Sequence, residues 1–167
     1  RTERVGVTKE RQRQRVNRKM MRQLNIDDLD KLAYGAEQFY RSSEFLEGFD
    51  METFKRSWSR FLGLNMGVIF GLEDEKTGEI YGALGGVKYT DPHNGQLKAA
   101  EMFWYVIEER RGEGLKLLTA FEKWAKEEGC KYIHMVHLAD LMPDAVRRVY
   151  ERRGYKLAEM AYRKEVR

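Results

Sequence analysis

A turn rich in glycine and basic residues is the part of the sequence best suited to bind an anion. It reads Arg-Arg-Gly-Glu-Gly-Leu-Lys over residues 110–116, between a strand-like run and a segment of helical period. Glycines let backbone N–H groups approach an anion closely, and the N-terminal end of a helix favours negative charge. The spacing indicates a phosphate site, but a two-glycine turn also occurs as a plain connection between a strand and a helix.

The segment Val106–Leu118 resembles the coenzyme A motif of the GNAT acetyltransferase superfamily, whose pattern is Arg/Gln-x-x-Gly-x-Gly/Ala. Arg111 and Gly114 match the first two fixed positions, whereas Lys116 stands where Gly or Ala is usual. A lysine there can reach a phosphate, but it can also crowd the backbone. The resemblance implies that acetyl-coenzyme A binds as acyl donor to the turn and to the end of the preceding strand. The residues of this implied site are Trp104, Tyr105 and Val106 on the strand and Arg110, Arg111, Gly112, Glu113, Gly114, Leu115 and Lys116 in the turn.

A second segment, Tyr150–Tyr155, is similar to the Tyr-x-x-x-Gly-Phe/Tyr segment of the same family and follows the turn in the family's order. In the family this tyrosine lies near the coenzyme sulfur and can act as general acid, so the resemblance gives Tyr150 that role. The alternative is that the ring only packs its helix against the sheet. The asparagine often found seven residues earlier is absent, because Pro143 occupies that place.

A third segment, residues 100–106, resembles the fourth strand of family members that use a strand glutamate as general base, and it makes Glu101 the candidate base. A substrate ammonium with a pKa of about 10 must lose a proton before it attacks a thioester. Burial beside Met102 or Phe103 would raise the pKa of Glu101 toward the working range. A structural glutamate at a strand end is the alternative.

Hydrophobic periodicity predicts the elements that must position these residues. Their order is β-α-α-β-β-β-α-β-α-β, which indicates an α+β fold with a central mixed, mainly antiparallel sheet flanked by helices. The resemblance implies the same architecture, which is the acyl-CoA N-acyltransferase fold. The predicted strands are Met20–Leu24, Val68–Leu72, Ile80–Tyr89, Ala99–Ile107, Tyr132–Leu138 and Tyr155–Lys164.

Charge divides the first third of the chain. Residues 1–23 carry nine basic and two acidic side chains, whereas residues 24–54 carry eight acidic and two basic ones. We expect a flexible basic arm over residues 1–17 and a single acetyltransferase-like domain over residues 18–167. In the family the helices of the acidic stretch wall the acceptor site, so an anionic wall would attract a cationic amine, although an ordinary solvated helical face is the alternative.

These observations lead to a specific functional hypothesis. We expect a cytoplasmic N-acetyltransferase that moves the acetyl group of acetyl-coenzyme A to a primary amine of a cationic small molecule or of a protein, by direct attack in a ternary complex. The alternative is a GNAT-like binding or structural module whose basic arm contacts nucleic acid or a protein partner. A turn that binds another phosphorylated ligand is a third reading.

Composition narrows the function classes further. The single cysteine, Cys130, and three histidines show no metal-ligand spacing, so we expect no metal site. His134 and His137 are expected to point to opposite faces of a strand, which leaves both outside the catalytic assignment. No apolar run is long enough to span a membrane, and we expect no membrane partner. The sequence leaves the oligomeric state and the acceptor open.

Overall fold

The computed structural model describes residues 21–44 and 48–166 of the chain. These residues form a five-stranded sheet with helices on both faces. In chain order the elements are β1 (Met21–Gln23), a 3₁₀ turn (Ile26–Asp28), α1 (Leu29–Tyr40), α2 (Met51–Gly63), β2 (Gly67–Glu73), β3 (Ile80–Thr90), β4 (Leu97–Val106), a second 3₁₀ turn (Glu108–Glu113), α3 (Gly114–Glu127), β5 (Tyr132–His134) and α4 (Pro143–Arg152).

The strands lie side by side in the order in which they occur in the chain. The pairs from β1 to β4 are antiparallel, and β5 runs parallel to β4. The parallel step is possible because α3 carries the chain back to the other end of the sheet before β5 begins. The predicted α+β class with a mixed, mainly antiparallel sheet is confirmed, and the element order is confirmed as far as α4.

The predicted last strand, Tyr155–Lys164, is wrong. Residues 155–166 adopt no regular secondary structure, and within the described part of the chain no backbone hydrogen bond holds residues 156–162. A strand is stabilised by pairing with a neighbour and by packing on one face. Tyr155 packs on the α3/α4 core, but the apolar side chains after it, Leu157, Met160 and Tyr162, are exposed, and the segment pairs with no strand among the described residues. The prediction for β5 was also too long, since that strand ends at His134 rather than at Leu138.

Two apolar cores lie on opposite faces of the sheet. The α1/α2 core includes the apolar stripes of both helices, as their 3.6-residue period predicted. In the α3/α4 core, helices α3 and α4 pack on the other face of the sheet. The α1/α2 core contains Leu29, Leu32, Ala33, Ala36, Phe54, Trp58, Phe103 and Tyr105, and the α3/α4 core contains Val68, Leu72, Leu84, Ala99, Leu117, Leu118, Phe121 and Tyr150.

A β-bulge in β4 determines which core each half of that strand joins. Gly86 pairs with Glu101 but Gly85 pairs with Phe103, so Met102 is the extra residue. Ala99 consequently packs in the α3/α4 core, whereas Phe103 packs in the α1/α2 core, although strict alternation would place both on one face. The bulge therefore reorients β4 at the position of Glu101.

Three further expectations concern the N-terminal arm, membrane spans and metal sites. The predicted basic arm, residues 1–17, lies outside the described residues. In the described ranges, no helix combines the length and the apolar character needed to cross a bilayer. The same ranges hold no group of three or more His, Cys, Asp or Glu side chains that could hold a metal ion.

Candidate active site

The candidate site lies where β4 and β5 separate. The two strands pair only over residues 98–100 and 132–134, and the last pair is Ala100 with His134. β4 continues for six further residues to Val106, while the chain leaves β5 after His134. Glu101, the first residue beyond the paired region, therefore stands at the inner end of an opening between the two strands.

Glu101 is a carboxylate with little access to water. Glu101 is only 8% exposed, and the Val136 N–H donates to its Oε2 at 3.2 Å. Burial disfavours the ionised form and raises the pKa of Glu101 to about 7, and the hydrogen bond from Val136 opposes this shift only in part. At neutral pH the group can therefore both accept and release a proton.

Tyr150 approaches the same point from α4. Its hydroxyl donates to the Val136 carbonyl oxygen at 2.7 Å, and its residue is 8% exposed. The ring lies 6.2 Å from the ring of Trp104 on β4, between centroids. Burial and the nearby Glu101 charge raise the pKa of Tyr150 well above its usual value, so the hydroxyl keeps its proton.

The two sequence-predicted catalytic side chains are thus held by one peptide segment. The N–H of Val136 contacts the carboxylate and the C=O of Val136 accepts from the phenol. Val136 lies just after β5, and its own side chain is 59% exposed. An acid and a base on opposite sides of one residue can serve a reaction that removes one proton and supplies another.

The turn over residues 110–116 comprises the end of the second 3₁₀ turn, up to Glu113, and the first three residues of α3, which begins at Gly114. A Cβ added to Gly114 would lie 3.2 Å from Val106 Cγ2 and 3.4 Å from Trp104 Nε1, so glycine permits close packing of the turn on the end of β4. No side chain caps the N-terminus of α3. The turn and the last residues of β4 therefore border the same opening as Glu101.

The basic side chains of the turn differ in their contacts. Arg110 lies 3.6 Å above the Tyr81 ring, and its guanidinium bonds Glu113 at 2.8 Å and Asp74 at 3.3 Å. These contacts attach the turn to β3 and to the β2–β3 loop, because Glu113 also accepts from the Tyr81 hydroxyl at 2.7 Å.

Arg111 and Lys116 are the more exposed cations of the turn. Arg111 Nη1 lies 3.1 Å from the Met142 sulfur, immediately before α4, and 3.5 Å from Glu108 Oε1. Lys116 Nζ lies 4.0 Å from Glu113 Oε2. Both charges are near the surface, where an incoming anion can exchange with these weak local contacts.

The three predicted β4 residues fall on two faces. Trp104 and Val106 pack toward the α3/α4 core, and Tyr105 packs in the α1/α2 core. The Tyr105 hydroxyl is buried and has no hydrogen-bond partner among the described residues, which raises its pKa through desolvation. Its oxygen lies 2.5 Å from where a Cβ on Gly35 would be, so α1 approaches β4 closely at that glycine.

Two parts of the site were not predicted from the sequence. Val136 acts through its backbone, which leaves no side-chain signature, and it is far from Glu101 in the chain. Tyr40, the last residue of α1, had no predicted role in the site, yet burial and the charge of Glu101 raise its pKa. Of the two histidines, His137 is exposed beside the Tyr150 ring and His134 is half-buried in β5.

Part of the acidic stretch is paired with nearby cations. Several of its carboxylates lie within ion-pair distance of a cation, and Asp50 caps α2 by accepting from the Thr53 N–H at 2.6 Å. Such pairing reduces the field that the helices present to solvent. The pairs are Asp28 with Arg22 at 2.6 Å, Glu37 with Arg41 at 2.8 Å, and Asp30 and Glu52 with Lys55 at 3.0 and 2.7 Å.

Comparison with known proteins identifies a matching family and a shared fold. A family model described as the acetyltransferase (GNAT) family matches residues 33–155. No curated protein matches the chain in sequence. Solved structures match over most of their length but at low sequence identity, so they support the fold alone.

Three of these structures illustrate the range. A predicted acetyltransferase with acetyl-CoA from Clostridium acetobutylicum is 17% identical, with a TM-score of 0.71 over 87% of this chain and 94% of that chain. AAC(6')-Iy in complex with a bisubstrate analogue is 16% identical, with a TM-score of 0.69 over 88% and 97%. A ribosomal-protein-alanine N-acetyltransferase from Brucella melitensis biovar Abortus 2308 is 15% identical, with a TM-score of 0.66 over 87% and 97%.

Proposed function

The chain belongs to the GNAT family of acetyltransferases, and on that premise we propose that it transfers an acetyl group from acetyl-coenzyme A to a primary amine. The amine attacks directly while both substrates are bound. The observation that carries this proposal is the pair formed by Glu101 and Tyr150 on the two sides of the Val136 backbone, where β4 and β5 separate.

Glu101 is the proposed general base. An ammonium group must lose a proton before its nitrogen can attack a carbonyl carbon, and a carboxylate with a pKa of about 7 is matched to that task near neutral pH. The Val136 N–H holds the carboxylate in one orientation. The proton passes from the ammonium to Glu101, either directly or through a water molecule.

Tyr150 is the proposed general acid. It remains protonated over the whole neutral range because burial raises its pKa, so it can supply a proton to a leaving sulfur. In the present structure this proton is donated to the Val136 carbonyl at 2.7 Å. Rotation of the hydroxyl about the ring bond would be enough to redirect it.

The residues at the turn fit the acyl donor. Bound acetyl-coenzyme A would supply an activated thioester, and its pyrophosphate needs cations and N–H groups close to the end of β4. Gly114 brings the start of α3 against Trp104 and Val106, and Arg111 and Lys116 supply exposed positive charge. Arg110 would contribute by holding the turn on Tyr81 and Glu113. The proposed donor site thus comprises Trp104, Tyr105, Val106, Arg110, Arg111, Gly112, Glu113, Gly114, Leu115 and Lys116.

The proposed acceptor is an amine on a cationic small molecule or on a protein, either a lysine or an N-terminus. Structures with the same fold carry names of both kinds, since one is an AAC(6')-Iy complex and another is named for a ribosomal-protein alanine. The local pairing of the acidic stretch weakens the case for an anionic wall. We therefore expect the shape of the acceptor to matter more than its total charge.

Calorimetric titration with acetyl-coenzyme A tests the proposal first. We expect binding below about 1 mM, the usual upper range for enzyme substrates. An assay for free thiol with polyamines, aminoglycosides and basic peptides should then detect turnover with at least one amine. Absence of binding at about 1 mM would contradict the assignment and favour a module without catalysis.

Two variants separate chemistry from binding in that experiment. Glu101→Gln and Tyr150→Phe each remove the proposed proton transfer and keep the side-chain shape. Both should lower the turnover rate by about 100-fold or more while the calorimetric affinity for acetyl-coenzyme A stays nearly unchanged. A parallel loss of affinity and rate would mean that these residues only support the structure.

A further inference from the structure

A single carboxylate joins two distant parts of the chain beside the candidate site. Asp140 lies in the segment between β5 and α4, and Ser43 and Glu44 lie directly after α1. The Ser43 hydroxyl lies 2.7 Å from Asp140 Oδ1 and 2.9 Å from Oδ2, and the Glu44 N–H donates to Oδ2 at 3.0 Å. We name this set of contacts the Asp140 clamp.

The two segments that the clamp joins also lie near Glu101. Phe39, four residues before Ser43, stacks on the Tyr105 ring of β4 at 5.5 Å between centroids, so the end of α1 lies against the strand that carries Glu101. Val136, four residues before Asp140, donates its N–H to the Glu101 carboxylate. The segment that contacts Glu101 and the end of α1 are therefore joined to each other a few residues further on.

The hydrogen bonds of the clamp hold the chain after α1 against Asp140. Ser43 is 7% exposed although it follows the end of a helix, so its hydroxyl depends on protein partners. Hydrogen bonds from a hydroxyl and a backbone N–H to an ionised carboxylate are stronger than those between neutral groups. A carboxylate that accepts both fixes the position of the chain after α1 relative to the segment after β5.

From this arrangement we propose that Asp140 is a positioning residue for the acceptor amine. It holds the end of α1 and the segment after β5 at the separation that the acceptor needs in order to reach Glu101. The inference rests on the proposed acetyl transfer, and it places the acceptor between these two segments. Loss of the clamp should then affect the acceptor and leave acetyl-coenzyme A unaffected.

Steady-state kinetics of the full chain with one amine acceptor test this assignment. Asp140→Ala should raise the KM for the acceptor by about tenfold to a hundredfold, the loss expected for a broken charge-assisted contact. The KM for acetyl-coenzyme A and the calorimetric affinity for it should stay within about twofold. Asp140→Asn, whose amide oxygen can still accept a hydrogen bond, should recover part of the acceptor KM.

A second set of variants tests whether the contacts act as a unit. Ser43→Ala should raise the acceptor KM less than Asp140→Ala does, because the Glu44 N–H still reaches the carboxylate. The double variant should be no worse than Asp140→Ala alone, since the two changes remove one interaction. Glu127→Ala, at an exposed carboxylate near the end of α3, is the control and should leave every constant unchanged.

Three outcomes would decide against the clamp or against its premise. An unchanged acceptor KM in Asp140→Ala would overturn the inference, and so would an equal loss in both substrates' constants together with a lower melting temperature. If the wild-type chain acetylates no amine, the proposed function fails instead. Amide hydrogen exchange at Glu44, whose N–H donates to Asp140, then tests the contact itself, which is supported by faster exchange in Asp140→Ala and refuted by identical exchange.

Discussion

At the scale of single residues, the environment of Glu101 explains how a common side chain becomes a candidate base. An exposed glutamate ionises well below neutral pH, but the burial of Glu101 raises its pKa to about 7. The hydrogen bond from Val136 keeps the ionised form accessible. The same burial that raises this pKa should also destabilise the folded state when Glu101 is ionised.

Glu101→Gln should reveal that cost as a dependence of stability on pH. A carboxyl whose folded pKa lies above its unfolded value stabilises the fold fully below the unfolded pKa, and this contribution is lost as pH rises toward the folded pKa of about 7. Glutamine cannot ionise. We therefore expect the variant to equal the wild type near pH 4 and to exceed it in unfolding free energy by about 1–3 kcal/mol above pH 8.

Urea unfolding at a series of pH values measures this difference. Glu127→Gln, at an exposed position near the end of α3, is the control and should show no such divergence. A pH-independent difference between Glu101→Gln and the wild type would mean that the carboxyl is not desolvated as the structure indicates.

At the scale of elements, a glycine pair in β3 makes the bulge in β4 compatible with both cores. A Cβ on Gly85 would lie 2.4 Å from the Phe103 ring, and one on Gly86 would lie 2.3 Å from the Phe121 ring. Each glycine leaves room for an aromatic ring on one face of the sheet. The bulge places Glu101 at the opening, so these glycines support the packing around the candidate site.

Gly86→Ala should therefore destabilise the protein. Phe121 is fully buried and the Ala100 carbonyl lies 2.9 Å from the added carbon, so neither neighbour can move cheaply. We expect a loss of about 1–3 kcal/mol in unfolding free energy, measured by urea or thermal unfolding. Gly63→Ala is the matched control, because nothing lies within 4 Å of its added carbon at the end of α2. A Gly86→Ala protein as stable as the wild type would contradict the packing described.

At the scale of the whole molecule, the candidate site lies where β4 and β5 stop pairing, between elements from both faces of the sheet. Glu101 accepts from the Val136 N–H, α4 reaches the same residue through the Tyr150 hydroxyl, and the turn into α3 packs against the end of β4. Cys130, by contrast, is half-buried just before β5 begins. The Lys131 N–H bonds the Leu97 carbonyl at 2.8 Å, four residues from Glu101 along β4. That separation is about 13 Å at the rise of a strand.

This placement predicts that catalysis does not pass through the cysteine. Cys130→Ala should keep the turnover rate within about twofold of the wild type, since the thiol is remote and burial raises its pKa. Rapid quenching during turnover followed by intact-mass analysis should find no acetylated Cys130. An acetylated thiol that passes its acetyl group to the amine would instead require a two-step route.

The sequence alone determined the class of fold, the elements up to α4 and the positions of the three motif segments. These depend on local period, on turn glycines and on short patterns, which a chain displays without its tertiary contacts. Only the tertiary structure decided the rest. Long-range pairing leaves Tyr155–Lys164 without a strand partner, and the bulge at Met102 and the early end of β5 open the sheet at Glu101. The backbone of Val136 then joins Glu101 to Tyr150, a contact between distant residues that depends on which strands separate and where.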